Sequence, residues 1–263
     1  MRFLVIFLGV YLFGYIGYVS EAKGKVEVIR NKSVLSVKKG FKIEEKDSVK
    51  TYKNSKAKMV FKDNTVIIVG ENSFFKVYEY LYGKKPKARF GFLRGTFLSV
   101  TGKIGKIAPK KFKLQTKNSS IGIRGTTVFG EIYYGGDIIG CSSGAIDVAE
   151  GKKNVFVKAG EAVGVFGSLI TRPFRPAKGY VKEVAKKMSL DKKEEESFFA
   201  RLFATSKKDV KTPQADIKKS DKEKNFTLTW DEYKIEKLKT IKGYTTKAIQ
   251  FDNGVFFDEM RFH

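Results

Sequence analysis

The residue types that carry most catalytic chemistry are nearly missing from this chain of 263 residues: the one histidine is His263 and the one cysteine is Cys141. Nucleophilic triads and dyads need a histidine beside the nucleophile, and zinc sites need clustered nitrogen and sulfur ligands, so neither chemistry fits. Carboxylates remain. Glu44-Glu45 and the run Glu194 to Glu196 sit in charged, solvated stretches, and no spacing sets two of them across a cleft as acid-base catalysis requires. Gly102-Lys103 and Gly105-Lys106 lack the spacing of a phosphate-binding loop. A non-enzymatic protein with no metal or cofactor is expected. Cys141, between Gly140 and Ser142, is expected to be a small buried residue, because a reactive thiol needs a basic, accessible neighbourhood.

One polar residue has an unusual setting. Arg124 lies between Gly122 and Gly125 in a strand bounded by Ile121, Ile123 and Val128. The glycines are expected to permit a bulge or a close backbone approach. The guanidinium offers five fixed donors, suited to carbonyls or a carboxylate on an adjacent turn, or to an anionic ligand. Arg94-Gly95-Thr96 repeats the tripeptide Arg124-Gly125-Thr126 in a similar apolar setting, without an exact long repeat around it.

The elements that position these residues read as strands. From Gly24 to about Val165, short segments of alternating apolar and polar residues are broken by turn signals, and helical periodicity is absent. Ala57, Met59 and Phe61 alternate with Lys58 and Val60, and Asp63-Asn64 turns the chain into Thr65 to Val69. Phe75 to Tyr80 leads through the basic loop Gly83 to Pro86 into a Phe-rich strand pair from Phe90 to Val100. Further strands are expected at 112–116, 122–133, 144–149, 154–158 and 162–166. The fold class is mainly β, either a sandwich or a solenoid-like stack of short strands.

Beyond Pro173 and Pro176 the character changes. Ser189 is the expected N-cap of a helix from about Leu190 to Ala204, with acidic residues in its first turns and Phe198, Phe199, Leu202 and Phe203 as an apolar stripe. The organisation is therefore a segment 1–22, a β domain 23–168, a basic connector 169–188, a helix 189–204, a polar linker 205–224 and a β-rich segment 225–263 with a turn at Asp252-Asn253-Gly254. That last segment is too short for a core of its own and needs the main domain or a partner.

Arg2 followed by the apolar run Phe3 to Val19 and by Ser20-Glu21-Ala22 has the form of a cleavable export signal ending at Ala22. The alternative is an uncleaved anchor formed by residues 3–19. Either reading places the domain outside the cytoplasm, periplasmic or extracellular, and the membrane enters only through an uncleaved signal segment. With 52 Lys and Arg against 28 Asp and Glu, the net charge is +24. Such a field attracts polyanions in general. Most of the basic residues are lysines scattered through every segment, the usual means of keeping exposed β surface soluble, so nucleic acid is not an expected partner. An acidic polymer remains one.

Three ordered blocks carry a family resemblance. Gly24-Lys25-Val26-Glu27-Val28, Asp47 to Thr51 and Ala57 to Thr65 open it; Thr101-Gly102-Lys103 and Phe112 to Thr116 lead to Ile121-Gly122-Ile123-Arg124-Gly125-Thr126; Ser143 to Val148 and Val157 to Glu161 close it. Over Gly24 to Gly164 this resembles the FecR domain, with Gly122, Arg124, Gly125 and Thr126 as the family signature and Thr116-Lys117 in place of the family's Thr-Pro. The resemblance implies a β-rich domain outside the cytoplasm and, in its best-known members, transmission of a ligand signal across the inner membrane to a sigma factor. Direct sigma-factor control is not expected for this chain, which begins with a signal-like segment. The expected function is a ligand- or partner-binding signalling module that meets an envelope protein. The alternative is a structural envelope protein that binds acidic polymer or peptidoglycan through a Lys-rich surface.

Overall fold

The computed structural model describes residues 14–188, 190–203, 244–251 and 254–262, without the side chains of Arg124 and of the last two segments. The chain begins with β1 (Gly17–Lys23), β2 (Val26–Arg30), β3 (Ser33–Ser36), β4 (Lys42–Ile43), β5 (Ser48–Thr51), β6 (Lys56–Phe61), β7 (Val66–Val69) and β8 (Phe74–Leu81). It continues with β9 (Lys87–Val100), the short helix α1 (Lys103–Ile107), β10 (Phe112–Gln115), β11 (Ser120–Ile132), β12 (Asp137–Glu150), β13 (Lys153–Lys158), β14 (Glu161–Phe166) and β15 (Leu169–Ile170). Helices α2 (Lys178–Lys187) and α3 (Lys192–Phe203) follow, and β16 (Tyr244–Phe251) pairs antiparallel with β17 (Gly254–Phe262).

Three long strands organise the β domain by changing partners midway. β9 pairs with β8 and β10 before Gly95 and with β7 and β11 after it. β11 and β12 bend in the same way at Gly125 and Gly144. Two half-sheets result, the first in the order β3-β2-β5-β8-β9-β10-β11-β12-β13 and the second in the order β4-β1-β6-β7-β9-β11-β12-β14-β15. Their inner faces share one core, with Val28, Val49, Phe75, Phe90, Leu114 and Ile146 from the first and Val19, Met59, Ile67, Phe97, Val128 and Ile139 from the second. The fold is mainly β, with two half-sheets closing on one core in a sandwich-like arrangement. The bend at Gly95 turns Phe92 and Phe97 face to face, their ring centroids 3.6 Å apart. The segment Phe90 to Val100, expected as a strand pair, is thus part of one bent strand.

A second core lies on the outer face of the second half-sheet. Ile68, Leu98, Phe129 and Ile138 pack there against Tyr180, Val181, Val184 and Met188 of the α2 region and Phe198 and Leu202 of α3. At about 1.5 to 3 kcal/mol per fully buried large side chain, this contact rather than propensity holds the two helices.

Four expectations are corrected here. The connector 169–188 contains β15 and α2, whose apolar residues at 180, 181, 184, 185 and 188 share one helical face between exposed lysines. α3 is capped by Asp191 rather than Ser189: the Glu194 amide donates to Asp191 Oδ1 (2.7 Å) and the Asp191 amide to Glu194 Oε2 (3.1 Å), a reciprocal capping box. Lys103–Ile107, in a stretch with no helical period, forms a short helix. Gly17–Lys23 is a strand between β4 and β6, with Val19 fully buried, so the residues assigned to the end of an export signal belong to the sandwich. The linker 205–224, Ser189, the Asp252-Asn253 turn, His263 and the run up to Phe13 lie outside the described residues.

Candidate functional site

The signature blocks, far apart in sequence, meet in one hydrogen-bonded knot. Asp63 is fully buried. Its carboxylate accepts from the Thr65 hydroxyl (2.8 Å), the Tyr80 hydroxyl (3.0 Å), the Thr65 amide (3.1 Å) and the Ile104 amide (3.1 Å). The Gly102 amide donates to Thr65 Oγ1 (3.0 Å) and the Lys103 amide to the Asp63 carbonyl (2.7 Å). Thr101 then clasps Thr126, its hydroxyl donating to the Thr126 carbonyl at 2.6 Å and accepting from the Thr126 amide at 3.2 Å. Buried polar groups this fully paired specify a geometry rather than offer a site. Thr126 is the signature residue that this knot holds through Thr101.

The two glycines of that signature differ. Gly125 has φ +62° at the point where the β11 register shifts, so the bulge expected of it is present. Gly122 pairs regularly with Asp147, and a Cβ there would come no closer than 3.7 Å to any neighbour, so it needs neither a bulge nor a close approach. Arg124 pairs through its backbone with Ala145; its side chain lies outside the described atoms. Gly95 is the more constrained counterpart, with φ +85° and Ser73 Cα 2.6 Å from an added Cβ. We expect Gly122→Ala to shift stability by less than about 0.5 kcal/mol and Gly125→Ala to cost about 1 kcal/mol, with Gly95→Ala the most damaging of the three. Urea unfolding of the three variants ranks them.

Groups able to do chemistry are engaged elsewhere. Cys141 is buried, its thiol pushed up to about 12 mainly by that burial, as expected of an inert residue. Glu44 pairs with Arg30 (2.6 Å), and Arg30 also grips the fully buried Asp47 through two nitrogens (2.8 and 2.7 Å). Glu45 accepts from the Tyr80 amide (3.2 Å). Among the described residues no group of three or more His, Cys, Asp or Glu could hold a metal ion.

Two concavities stand out among the described residues. One, of about 570 Å³, opens beside the Gly95 bend, with Arg94, Lys117, Tyr133 and Tyr134 in its lining. Its floor is structural: Lys187 donates to the buried Glu131 at 2.7 Å and pairs with Glu183 at 3.1 Å, tying α2 to β11. Burial works against the charged Lys187, but Glu131 outweighs it and raises the ammonium above its ordinary value. The other, of about 390 Å³, is an apolar groove along α3. Val66, Ile68, Leu98 and Val100 of the sheet and Phe198 of the helix line it, with Lys58, Lys193, Glu194 and Arg201 along its rim. A small, mostly apolar trench with a charged rim suits a protein segment better than a polar metabolite. Sequence reasoning missed this groove because it needs β7, β9 and α3 in one place; the one local signal was the stripe Phe198, Leu202 on α3.

Residues 47–162 match the family described as FecR protein, from the start of β5 to β14. The chain carries a FecR domain. β1 to β4, α2 and α3 flank the FecR match on either side. Two crystal structures of a "putative anti-sigma factor" from Parabacteroides distasonis are similar to the chain at 11% and 10% identity, with TM-scores of 0.42 and 0.41. Each alignment covers 49% of this chain and 59% of the other, so the FecR-domain chain matches little more than half the length of those proteins. No curated protein matches it.

Proposed function

We propose that this chain is a non-enzymatic, FecR-type regulatory module that works outside the cytoplasm by binding a protein partner in the groove between α3 and the second half-sheet. The observation that supports this reading is the groove itself: an apolar trench lined by Val66, Ile68, Leu98, Val100 and Phe198. α3 forms one wall, and its grip on the sheet through Glu194 sets the width of the trench. Whatever loosens α3 changes the site, which gives the module a place for regulation.

A photo-crosslinking residue at Val100 in the full-length chain tests the idea in the native cell envelope, with the same probe at Lys152, on the far half-sheet, as control. The expected result is one discrete crosslinked protein from Val100, undiminished when the salt is raised, because apolar contact is not screened. Equal, diffuse labelling from both positions would remove the groove from consideration.

A further inference from the structure

Helices α2 and α3 cover the second half-sheet, whereas among the described residues no element covers the outer face of the first. Lys50 in β5, Lys76 in β8, Arg89 in β9 and Lys113 in β10 stand on four neighbouring strands of that face. The register makes them a row. Lys50 is opposite Phe74, two residues from Lys76; Lys76 is opposite Gly91, two residues from Arg89; and Arg89 is directly opposite Lys113. With strands about 4.8 Å apart, the row crosses about 15 Å of sheet. None of the four has a carboxylate within ion-pair distance among the described residues. Two acids flank the row in register: Glu27 is opposite Lys50 but closes on Lys25 (3.1 Å) and the Tyr52 hydroxyl (2.6 Å), and Glu79 is opposite Arg89 but closes on Lys87 (2.7 Å), while Asp147 lies two strands beyond Lys113.

Tyrosine rings hold these cations in place. Lys25 and Lys50 lie 4.4 and 4.6 Å from the centre of Tyr52. Lys76 and Arg89 each lie 5.3 Å from the centre of Tyr78, whose ring rests on Gly91, so close that a Cβ there would come within 2.4 Å of it. Cation–π contacts of this kind orient charges that would otherwise be mobile, so less order is lost when an anion arrives. Arg89 and Lys113 face one another directly across strands, with Glu79 opposite Arg89 on the other side, so an anion lying over Arg89 and Lys113 relieves their mutual repulsion.

We propose that this row is a binding site for a linear acidic polysaccharide, recognised by carboxylates repeated along the polymer. The flat face admits an extended chain, and the cation spacing from strand to strand provides the repeat. Single-stranded nucleic acid is the less suitable occupant, because it needs ring faces for its bases and both rings here already hold two cations each. This site is independent of the α3 groove.

Polygalacturonate is the probe, titrated against the full-length chain with neutral dextran and single-stranded DNA alongside. The variant Lys50→Gln, Lys76→Gln, Arg89→Gln, Lys113→Gln is compared with Lys103→Gln, Lys106→Gln, Lys110→Gln, Lys152→Gln, which loses the same charge from exposed positions outside the row. The row variant is expected to bind about 50-fold more weakly and to lose most of the salt dependence, while the control stays within about threefold of the parent. Arg89→Gln alone should weaken binding several-fold, whereas Lys103→Gln alone should leave it unchanged. Equal weakening in both fourfold variants would reduce the effect to net charge and overturn the site. No binding by the parent chain, or tighter binding of DNA than of polygalacturonate, would overturn it as well.

Discussion

A chain that begins at Lys23 is expected to fail to reach the native fold, whereas one that begins at Tyr15 is expected to fold. β1 is an interior strand, paired with β6 from Gly17 to Lys23 and with β4 at Gly17 and Tyr18. Its loss opens the ladder on β6, strands β4 at the edge and removes the fully buried Val19 from the shared core. Ile16, 8% exposed, is lost with it. The two side chains contribute about 1.5 to 3 kcal/mol each, before the unpaired backbone is counted, against a net stability of about 5 to 15 kcal/mol for an ordinary domain. Polar contacts vanish too, since Ser20 donates to the Lys58 carbonyl (3.1 Å) and Glu21 pairs with the buried Lys56 (3.2 Å). Far-UV circular dichroism and urea unfolding of the two chains decide the matter, and equal midpoints would show β1 to be dispensable. The consequence concerns processing. Ser20-Glu21-Ala22 has the small-residue spacing of an export cleavage site, and a cut there would remove a core strand.

Glu194→Ala is expected to cost about 3 kcal/mol, the usual penalty for leaving a buried charge without its main partner. Glu194 accepts from Lys56 at 2.9 Å and Lys58 at 2.5 Å, and Lys56 is 1% exposed. The same carboxylate closes the capping box of α3, so one substitution weakens both the helix start and its grip on the sheet. Lys56→Met is the informative companion: it removes the buried charge and should cost much less than Glu194→Ala. If the two cost the same, the ion pair is not what holds α3.

The pH dependence follows from the same contact. Burial pushes the Glu194 carboxyl up, but the hydrogen bonds from Lys58 and Lys56 win and hold it at about 2 against an ordinary 4.5. A carboxyl depressed in the folded state contributes stability that is complete above its unfolded value and is lost as pH falls toward the folded one, so this contribution disappears between about pH 4.5 and 2. Asp137 works in the opposite sense. Burial raises it from 3.8 to about 6 despite hydrogen bonds from Thr116 and Asn118, so its effect is most favourable below 3.8 and declines as pH rises to 6. The parent should therefore gain stability on acidification from pH 7 to about 4 and lose it below, and Glu194→Ala should flatten the acid limb. Chemical denaturation at pH 7, 4 and 2.5 measures both limbs.

Much of the β domain was legible because its signals are local. Apolar alternation placed β6, β7, β8, β10 and β13 close to where they lie, and Asp63-Asn64 turned β6 into β7, with Asn64 at the positive φ such a turn favours. The stripe Phe198, Phe199, Leu202, Phe203 located α3, and its cap is at Asp191, where Asp191 and Glu194 bond reciprocally. α2 was hidden by composition. Its lysines project outward and dominate the segment, while Tyr180, Val181, Val184 and Met188 take up one face.

What the sequence by itself determined was the element type, the scarcity of histidine and cysteine, the unusual setting of Arg94-Gly95-Thr96 and Arg124-Gly125-Thr126, and the FecR likeness. The tertiary structure decided what those features do. Both tripeptides sit where a long strand leaves one half-sheet for the other, which no linear spacing reveals because a strand's partners are remote in sequence. Asp63, Thr101 and Thr126 are ordinary polar residues until folding buries them together, and only then does leaving any one unpaired become costly. Lys50, Lys76, Arg89 and Lys113 read as scattered solubilising charges along the chain. They become a row because register between β5, β8, β9 and β10 aligns them, and register is a property of the assembled sheet rather than of any strand alone.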